Sequence, residues 1–201
     1  MIKKIILYSL FSLFIFSSIY FFLNKDYYQN TTVQKIENQE ALPGGHFKLI
    51  KQDGTVFDSE ISNKLMLIYF GFTYCPDVCP TTLIKMADVI DRLGDDALKV
   101  NSIFISVDPE RDNVETINDY VSAFHNQIIG LTGNEEQISN VAKDWGVYYQ
   151  KEFIDGSAEY TVNHLDIIFL ANANGEFIDF FPPKIQSALI VEKVRNLIKS
   201  D

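Results

Sequence analysis

The chain has 201 residues and only two cysteines, set in Cys75-Pro-Asp-Val-Cys79-Pro. A close pair of thiols supports disulfide exchange, peroxide reduction or metal binding. Thiol exchangers of the thioredoxin kind carry two residues between their cysteines. Pro76, Asp77 and Val78 make three here. The wider spacing relaxes the geometry for fast exchange and suits two thiolates sharing one soft metal ion. A structural disulfide closing so small a loop would stabilise little through chain entropy. A peroxidatic cysteine follows a Pro-x-x-x-Thr/Ser-x-x pattern, whereas Gly71-Phe-Thr-Tyr precedes Cys75 without that proline.

Two thiolates need a third donor, and the chain offers three histidines. His46 adjoins Gly44-Gly45 at the start of a hairpin and reads as a turn residue. His125 ends a helix, where a cation complements the dipole. His164 stands just before the apolar run Ile167–Leu170. In a thioredoxin-like sheet, the loop into that strand lies beside the cysteines. Cys75, Cys79 and His164 thus form a set of two sulfurs and one imidazole nitrogen. Structural zinc takes four protein ligands, and no further cysteine or other obvious fourth ligand is present. Iron–sulfur clusters want more cysteines. Two soft thiolates and one imidazole suit copper, as Cu(I), or as Cu(II) with a weak extra ligand. Used for redox chemistry instead, Cys75 and Cys79 are the catalytic pair.

The elements around the pair must deliver it. Leu65–Phe70 (LMLIYF) is a continuous apolar run, read as a buried strand. After the cysteines, Leu83, Met86, Ile90 and Leu93 recur on one helical face. With Cys75 as the helix cap and Pro76 in the first turn, where proline is tolerated, Cys79 falls one turn further on the same face. Both sulfurs then converge where unpaired N–H groups and the helix dipole favour thiolate.

Upstream, Gln52-Asp53-Gly54 between apolar runs predicts a hairpin. Downstream, Val100–Val107 reads as a second buried strand and Glu115–Phe124 as a helix. Gly130–Gly133 reads as a loop or short strand, Glu135–Trp145 as a helix and Val147–Phe153 as a strand. After the Asp155-Gly156 turn, Tyr160–His164 leads into Ile167–Leu170. Asn174-Gly175 then marks a late hairpin before Phe177–Phe181. Ile185–Ile198 closes the chain as a helix with Leu189, Val194, Leu197 and Ile198 on one side. Strands alternating with helices require a sheet covered on both faces. The expected fold is α/β and thioredoxin-like, with an N-terminal hairpin and a late β-hairpin insertion.

Ahead of that fold, Ile5–Leu23 is uncharged and long enough to span a bilayer as a helix. It lacks the small-residue cleavage site of a signal peptide. With Lys3 and Lys4 in front, it reads as an uncleaved anchor whose C-terminal side is extracytoplasmic. The expected organisation is a cytoplasmic tip and anchor over 1–24, a polar stalk over 25–41 and the folded domain over 42–201. Disulfides persist on that side of a membrane, so a working dithiol there needs a reductant. The formal charge of -10 argues against nucleic acid, which calls for a basic patch.

Five stretches together resemble the Sco (SenC/PrrC-like) family of membrane-anchored copper proteins. They are GGHFKLIKQDG (44–54), YFGFTYCPDVCPTTL (69–83), ISVDPERD (105–112), IIGLTGNEEQI (128–138) and YTVNHLDIIFLANANG (160–175). The resemblance implies copper held by Cys75, Cys79 and His164, and a role in cytochrome c oxidase assembly. Copper would pass to the binuclear site of oxidase subunit II, or the dithiol would reduce that site's cysteines. Other copper chaperones or thiol reductants are further implied partners. The short leader favours a bacterial inner membrane over a mitochondrial one. One departure stands out: the family's Asp-His-Ser is here Asn163-His164-Leu165, with Asp166 beyond. Asp108 and Arg111 read as organisers of the turn after the second strand, with docking or copper transfer as the competing reading.

Overall fold

The computed structural model describes residues 42–200 apart from 155 and 158. The expected anchor at 5–23 and stalk at 25–41 lie outside the described residues, among which no helix is long and apolar enough to cross a membrane. The N-terminal hairpin is β1 (Lys48–Lys51) and β2 (Val56–Asp58). Then come β3 (Leu65–Gly71), α1 (Val78–Leu93), β4 (Val100–Ser106), α2 (Val114–Ser122), β5 (Ile128–Thr132) and α3 (Glu135–Asp144). The chain continues through β6 (Tyr149–Phe153), β7 (Tyr160–His164), β8 (Ile168–Ala171), β9 (Phe177–Phe181) and α4 (Ser187–Ser200).

Seven strands form one sheet in the order β2-β1-β5-β4-β3-β8-β9. Every residue of β3 is buried, because the strand lies inside the sheet, parallel to β4 and antiparallel to β8. A strand covered on both faces reads as unbroken hydrophobicity rather than alternation. The first hairpin turns as expected, with Asp53 Oδ1 accepting from Thr55 N at 2.9 Å and from its hydroxyl at 2.6 Å.

Residues 130–133 resolve the choice the sequence leaves open, since 130–132 belong to β5, between β1 and β4. Gly130 looks like a loop signal but serves packing: a Cβ there would sit 2.3 Å from Ile117 Cγ2, so only glycine lets α2 lie this close. α3 starts on a capping box, Asn134 with Gln137.

α1 packs on α4. The buried face of α4 is Ile190, Val191 and Val194, with Leu197 and Ile198 partly buried against the core. Leu189, expected on that face, is instead 52% exposed, because the buried stripe runs through the next two positions. Trp145 is buried between Phe47 and Phe169, with edge-on centroid distances of 6.3 and 5.6 Å.

β6 and β7 stand apart. They pair with each other as an antiparallel ribbon, Tyr149 opposite His164 and Phe153 opposite Tyr160. Among the described residues, neither strand pairs with the main sheet. The sequence therefore holds two late hairpins. β8–β9 extends the large sheet, and β6–β7 carries His164.

Candidate metal centre

β3 ends at Gly71, and the next eight residues bring both cysteines to the end of the sheet. The helix starts later than expected. Asp77 is its N-cap and Val78 its first residue, so Cys75 is not the cap. Pro76 is the reason, since a residue before proline is pushed out of the helical region. Cys75 instead closes a turn, its N–H donating to Phe72 O at 3.3 Å. Cys79 lies in the first turn of α1, where the following Pro80 costs no helical hydrogen bond. The sulfurs still converge.

Cys75, Cys79 and His164 each aim one donor atom into a group whose members lie within 4.8 Å of one another. Both cysteines are free thiols, Cys79 fully buried and Cys75 8% exposed. Cys79 Sγ is 3.3 Å from His164 Nε2. The other ring nitrogen, Nδ1, faces Leu165 O at 3.3 Å. A carbonyl only accepts, so with the ring proton on Nδ1 this contact becomes a hydrogen bond and turns the Nε2 lone pair towards the sulfurs, the form that can ligate a metal. Tyr69 and Phe72 stand edge-on to the ring at 6.0 and 5.8 Å, fixing its plane.

The thiols are electrostatically unequal. A hydrogen bond from Cys79 pulls Cys75 far below the ordinary thiol range, against the effect of burial. His164 and the backbone N–H groups of Asp77 and Cys79 add to the pull. The same bond, then burial, pushes Cys79 up. The pair therefore shares a proton, with the negative charge on Cys75. The expected bias towards thiolate therefore holds for Cys75, helped by the backbone N–H groups of Asp77 and Cys79, and fails for Cys79, whose thiol is pushed up.

Gly71 makes this closeness sterically feasible. A Cβ on it would lie 2.9 Å from Cys79 Sγ, 2.9 Å from Phe104 Cε2 and 3.1 Å from Tyr69 Cε1.

The other histidines lie outside the group. Exposed His46 has Nδ1 3.5 Å from Ser59 Oγ. His125 lies past the end of α2, where its Nδ1 accepts from Gln127 N at 3.1 Å and its Nε2 is 3.5 Å from Asp91. Asn163 donates to Glu152 Oε1 across the ribbon at 2.5 Å, away from the histidine it precedes. Asp166 accepts from Thr82 Oγ1 at 3.0 Å.

Sequence reading missed two supports of the site. Asp112 is buried beneath the loop that leads to Cys75, accepting from Thr73 N at 2.9 Å, Thr73 Oγ1 at 2.6 Å and Ser106 Oγ at 2.6 Å. Tyr160, on β7, donates its hydroxyl to Asp108 Oδ1 at 2.8 Å. A carboxylate inside the 105–112 motif was the available signal for the first. The second pairing spans 52 residues and has no local signature. Asp108 and Arg111 do organise the turn after β4, with Asp112 N donating to Asp108 O at 2.9 Å and an Arg111–Asp108 ion pair at 2.5 Å.

The donor chemistry fits a soft metal: two sulfurs, one favoured as thiolate, and one imidazole nitrogen facing them. The SCO1/SenC family model matches residues 35–199. The chain belongs to the SCO1/SenC family. Members of this family are copper-binding cytochrome c oxidase assembly proteins. The mitochondrial SCO1 homolog 1 of Arabidopsis thaliana is 42% identical over 144 residues, 71% of this chain and 43% of that protein. The SCO2-like protein of Rickettsia felis is 41% identical over 140 residues, 69% of this chain and 68% of that protein. Family relatives are thus both mitochondrial and bacterial. The solved structure of Arabidopsis thaliana ScoI with copper bound superposes with a TM-score of 0.72 at 38% identity, covering 79% of this chain and 99% of that one.

Proposed function

We propose that this SCO1/SenC-family chain carries copper on Cys75, Cys79 and His164 and delivers it during cytochrome c oxidase assembly. The observation that carries the reading is the convergence of these three donors within 4.8 Å, one sulfur already favoured as thiolate. Copper is the cargo, bound as Cu(I) or Cu(II), and the receiving site is the binuclear centre of oxidase subunit II. Cys75 is the more accessible sulfur, flanked by exposed Tyr74 and Val78, so a recipient's ligands approach from its side. Cys79 and His164, held against each other, form the inner half of the site.

The chain works anchored by residues 1–24 and spaced by 25–41. The domain over 42–201 lies in the periplasm of a bacterial inner membrane, with other copper chaperones or thiol reductants as further partners. The test is a Cu(I) titration of the full chain against a competing chelator. His164→Ala is expected to weaken binding at least about tenfold. Binding as tight as the parent's refutes the third-ligand assignment. Copper-limited growth of a deletion strain, scored by oxidase activity, tests delivery: added copper should rescue it.

A second reading is supported by the split between the thiols. Cys75, the less buried of the two and thiolate-favoured, has the properties of an attacking nucleophile, and Cys79 those of the resolving thiol. A thiol-disulfide reductase keeping oxidase cysteines reduced would need both cysteines but not His164. Absence of turnover with a disulfide substrate removes it.

A further inference from the structure

We propose that Arg111 is a positioning residue for His164: it fastens the β6–β7 ribbon to the cysteine loop and so sets whether the histidine reaches the sulfurs. The proposal rests on reading Cys75, Cys79 and His164 as one metal site.

The donors come from two separately held parts of the fold. Cys75 and Cys79 follow β3, an interior strand of the seven-stranded sheet. His164 ends β7, which pairs only with β6 among the described residues. Among those residues, no sheet hydrogen bond joins the ribbon itself to the cysteine-bearing part. The ligand end of β7 is held by β8, which pairs with β3 from Ile168 onward, and by Asp166 on Thr82, while the side-chain contacts of the far end concentrate at Arg111. Its Nε pairs with Asp108 Oδ2 at 2.5 Å, and its NH1 donates to the backbone oxygen of Tyr160 at 2.9 Å. Its guanidinium carbon lies 3.8 Å from the Tyr160 ring centroid and 4.9 Å from that of Tyr74, the residue before Cys75. Arginine thus lies between one aromatic ring of the ribbon and one of the cysteine loop, stacking on both as a planar cation does.

The partner groups make the fastening specific. Asp108 is fully buried and divides its oxygens, Oδ2 to Arg111 and Oδ1 to the Tyr160 hydroxyl. Beside it, Lys151 of β6 pairs with Glu110 at 2.7 Å. The loop after β4 therefore holds both ribbon strands. Tyr160 and His164 are four residues apart on β7, on the same face, with buried Val162 between them. A strand is stiff over that distance, so what holds Tyr160 sets where His164 stands. Releasing Arg111 frees the end of the strand remote from the ligand, and the imidazole loses its register on Cys79.

The test uses the full chain, reduced, as parent, Arg111→Ala, Arg111→Lys, Tyr160→Phe and His164→Ala. In the metal-free protein, nitrogen-15 NMR of the His164 ring is expected to show one fixed tautomer in the parent and tautomer averaging in Arg111→Ala. In a Cu(I) titration, Arg111→Ala is expected to weaken binding about 10- to 100-fold, the range for losing a group that orients a ligand. The double variant Arg111→Ala/His164→Ala is expected to bind no more weakly than His164→Ala alone. Additive losses in the double variant would overturn the proposal, since Arg111 would then act by another route. An unchanged ring signal in Arg111→Ala would also overturn it. If no form binds copper, the proposed function fails while the ring signal still decides the positioning role. If Arg111→Ala does not fold, Arg111→Lys and Tyr160→Phe carry the test. Each keeps part of the fastening and should show partial tautomer averaging of the His164 ring and a copper affinity between those of the parent and His164→Ala, and parent-like behaviour in both would overturn the proposal.

Discussion

Gly71→Ala presses directly on the candidate metal centre. Gly71 is buried at the end of β3, paired with Ser106 of β4. The added methyl would stand 2.9 Å from Cys79 Sγ and 2.9 Å from Phe104 Cε2. Ordinary contacts need about 3.5–4.0 Å, so one or both neighbours must yield by about 0.6–1 Å. Neither is the loose end of a flexible side chain. Cys79 is fixed to the first turn of α1, and Phe104 is a core ring of β4. Overpacking of this kind costs about 1–3 kcal/mol. With a urea slope of about 2 kcal/mol/M, the unfolding midpoint should fall by about 0.5–1.5 M. If about 1.4 kcal/mol of that strain moves the sulfur, copper affinity falls about tenfold. Two assays are needed, urea unfolding followed by Trp145 fluorescence and Cu(I) competition. The companion variant Gly71→Ala/Phe104→Leu opens space on one side and should recover part of the stability. A Gly71→Ala chain that unfolds at the parent's midpoint and binds copper equally well would refute the claim that this backbone must stay bare for the sulfur to seat.

Other expectations follow from the same contacts. Cys75 should alkylate as a thiolate well below the pH range of ordinary thiols. Cys79→Ala should move that profile upward, because the Cys79 hydrogen bond is the leading cause of the depression; iodoacetamide rates against pH measure both. Burial holds the Asp112 carboxyl above the ordinary aspartate range. Its protonated form therefore favours the fold below about pH 3.9, and that contribution fades as pH rises through the raised value. Thermal melts from about pH 4 to 8 should show the parent losing ground relative to Asp112→Asn, and parallel curves would refute this. Trp145→Ala removes a core ring wedged between Phe47 and Phe169 and should cost about 3–5 kcal/mol in urea unfolding, followed by circular dichroism.

Some of this was legible in the sequence because local chemistry dictated it. The apolar run of β3, the helical spacing of Leu83, Met86 and Ile90, and the Asp53-Gly54 turn each announce themselves within a few residues. The Cys75, Cys79 and His164 set was legible from donor type and from the expected place of the strand that follows the histidine. Elsewhere tertiary context overrode the local signal. Gly130 reads as a loop residue, yet its bareness serves a helix packed above it. A helix capped by Cys75 begins too early, because that reading gives a capping cysteine more weight than the restriction Pro76 puts on the residue before it. The independence of the β6–β7 ribbon was hidden, since strand periodicity names no partner. The Arg111–Tyr160 fastening, 49 residues apart in sequence, exists only after folding.

The two ends of the sheet have different occupants. The cysteines follow β3 at one end. At the other, Gly45 N donates to Gly175 O at 2.8 Å in the β8–β9 turn, and Gly44 N donates to Asp144 O at 3.0 Å at the end of α3. Gly44 and Gly45 are therefore fastened at the pole remote from the sulfurs. A surface, resin or fusion partner attached through that side leaves the donor end clear. An immobilised form of this domain should thus exchange copper with a soluble recipient as freely as the untethered one.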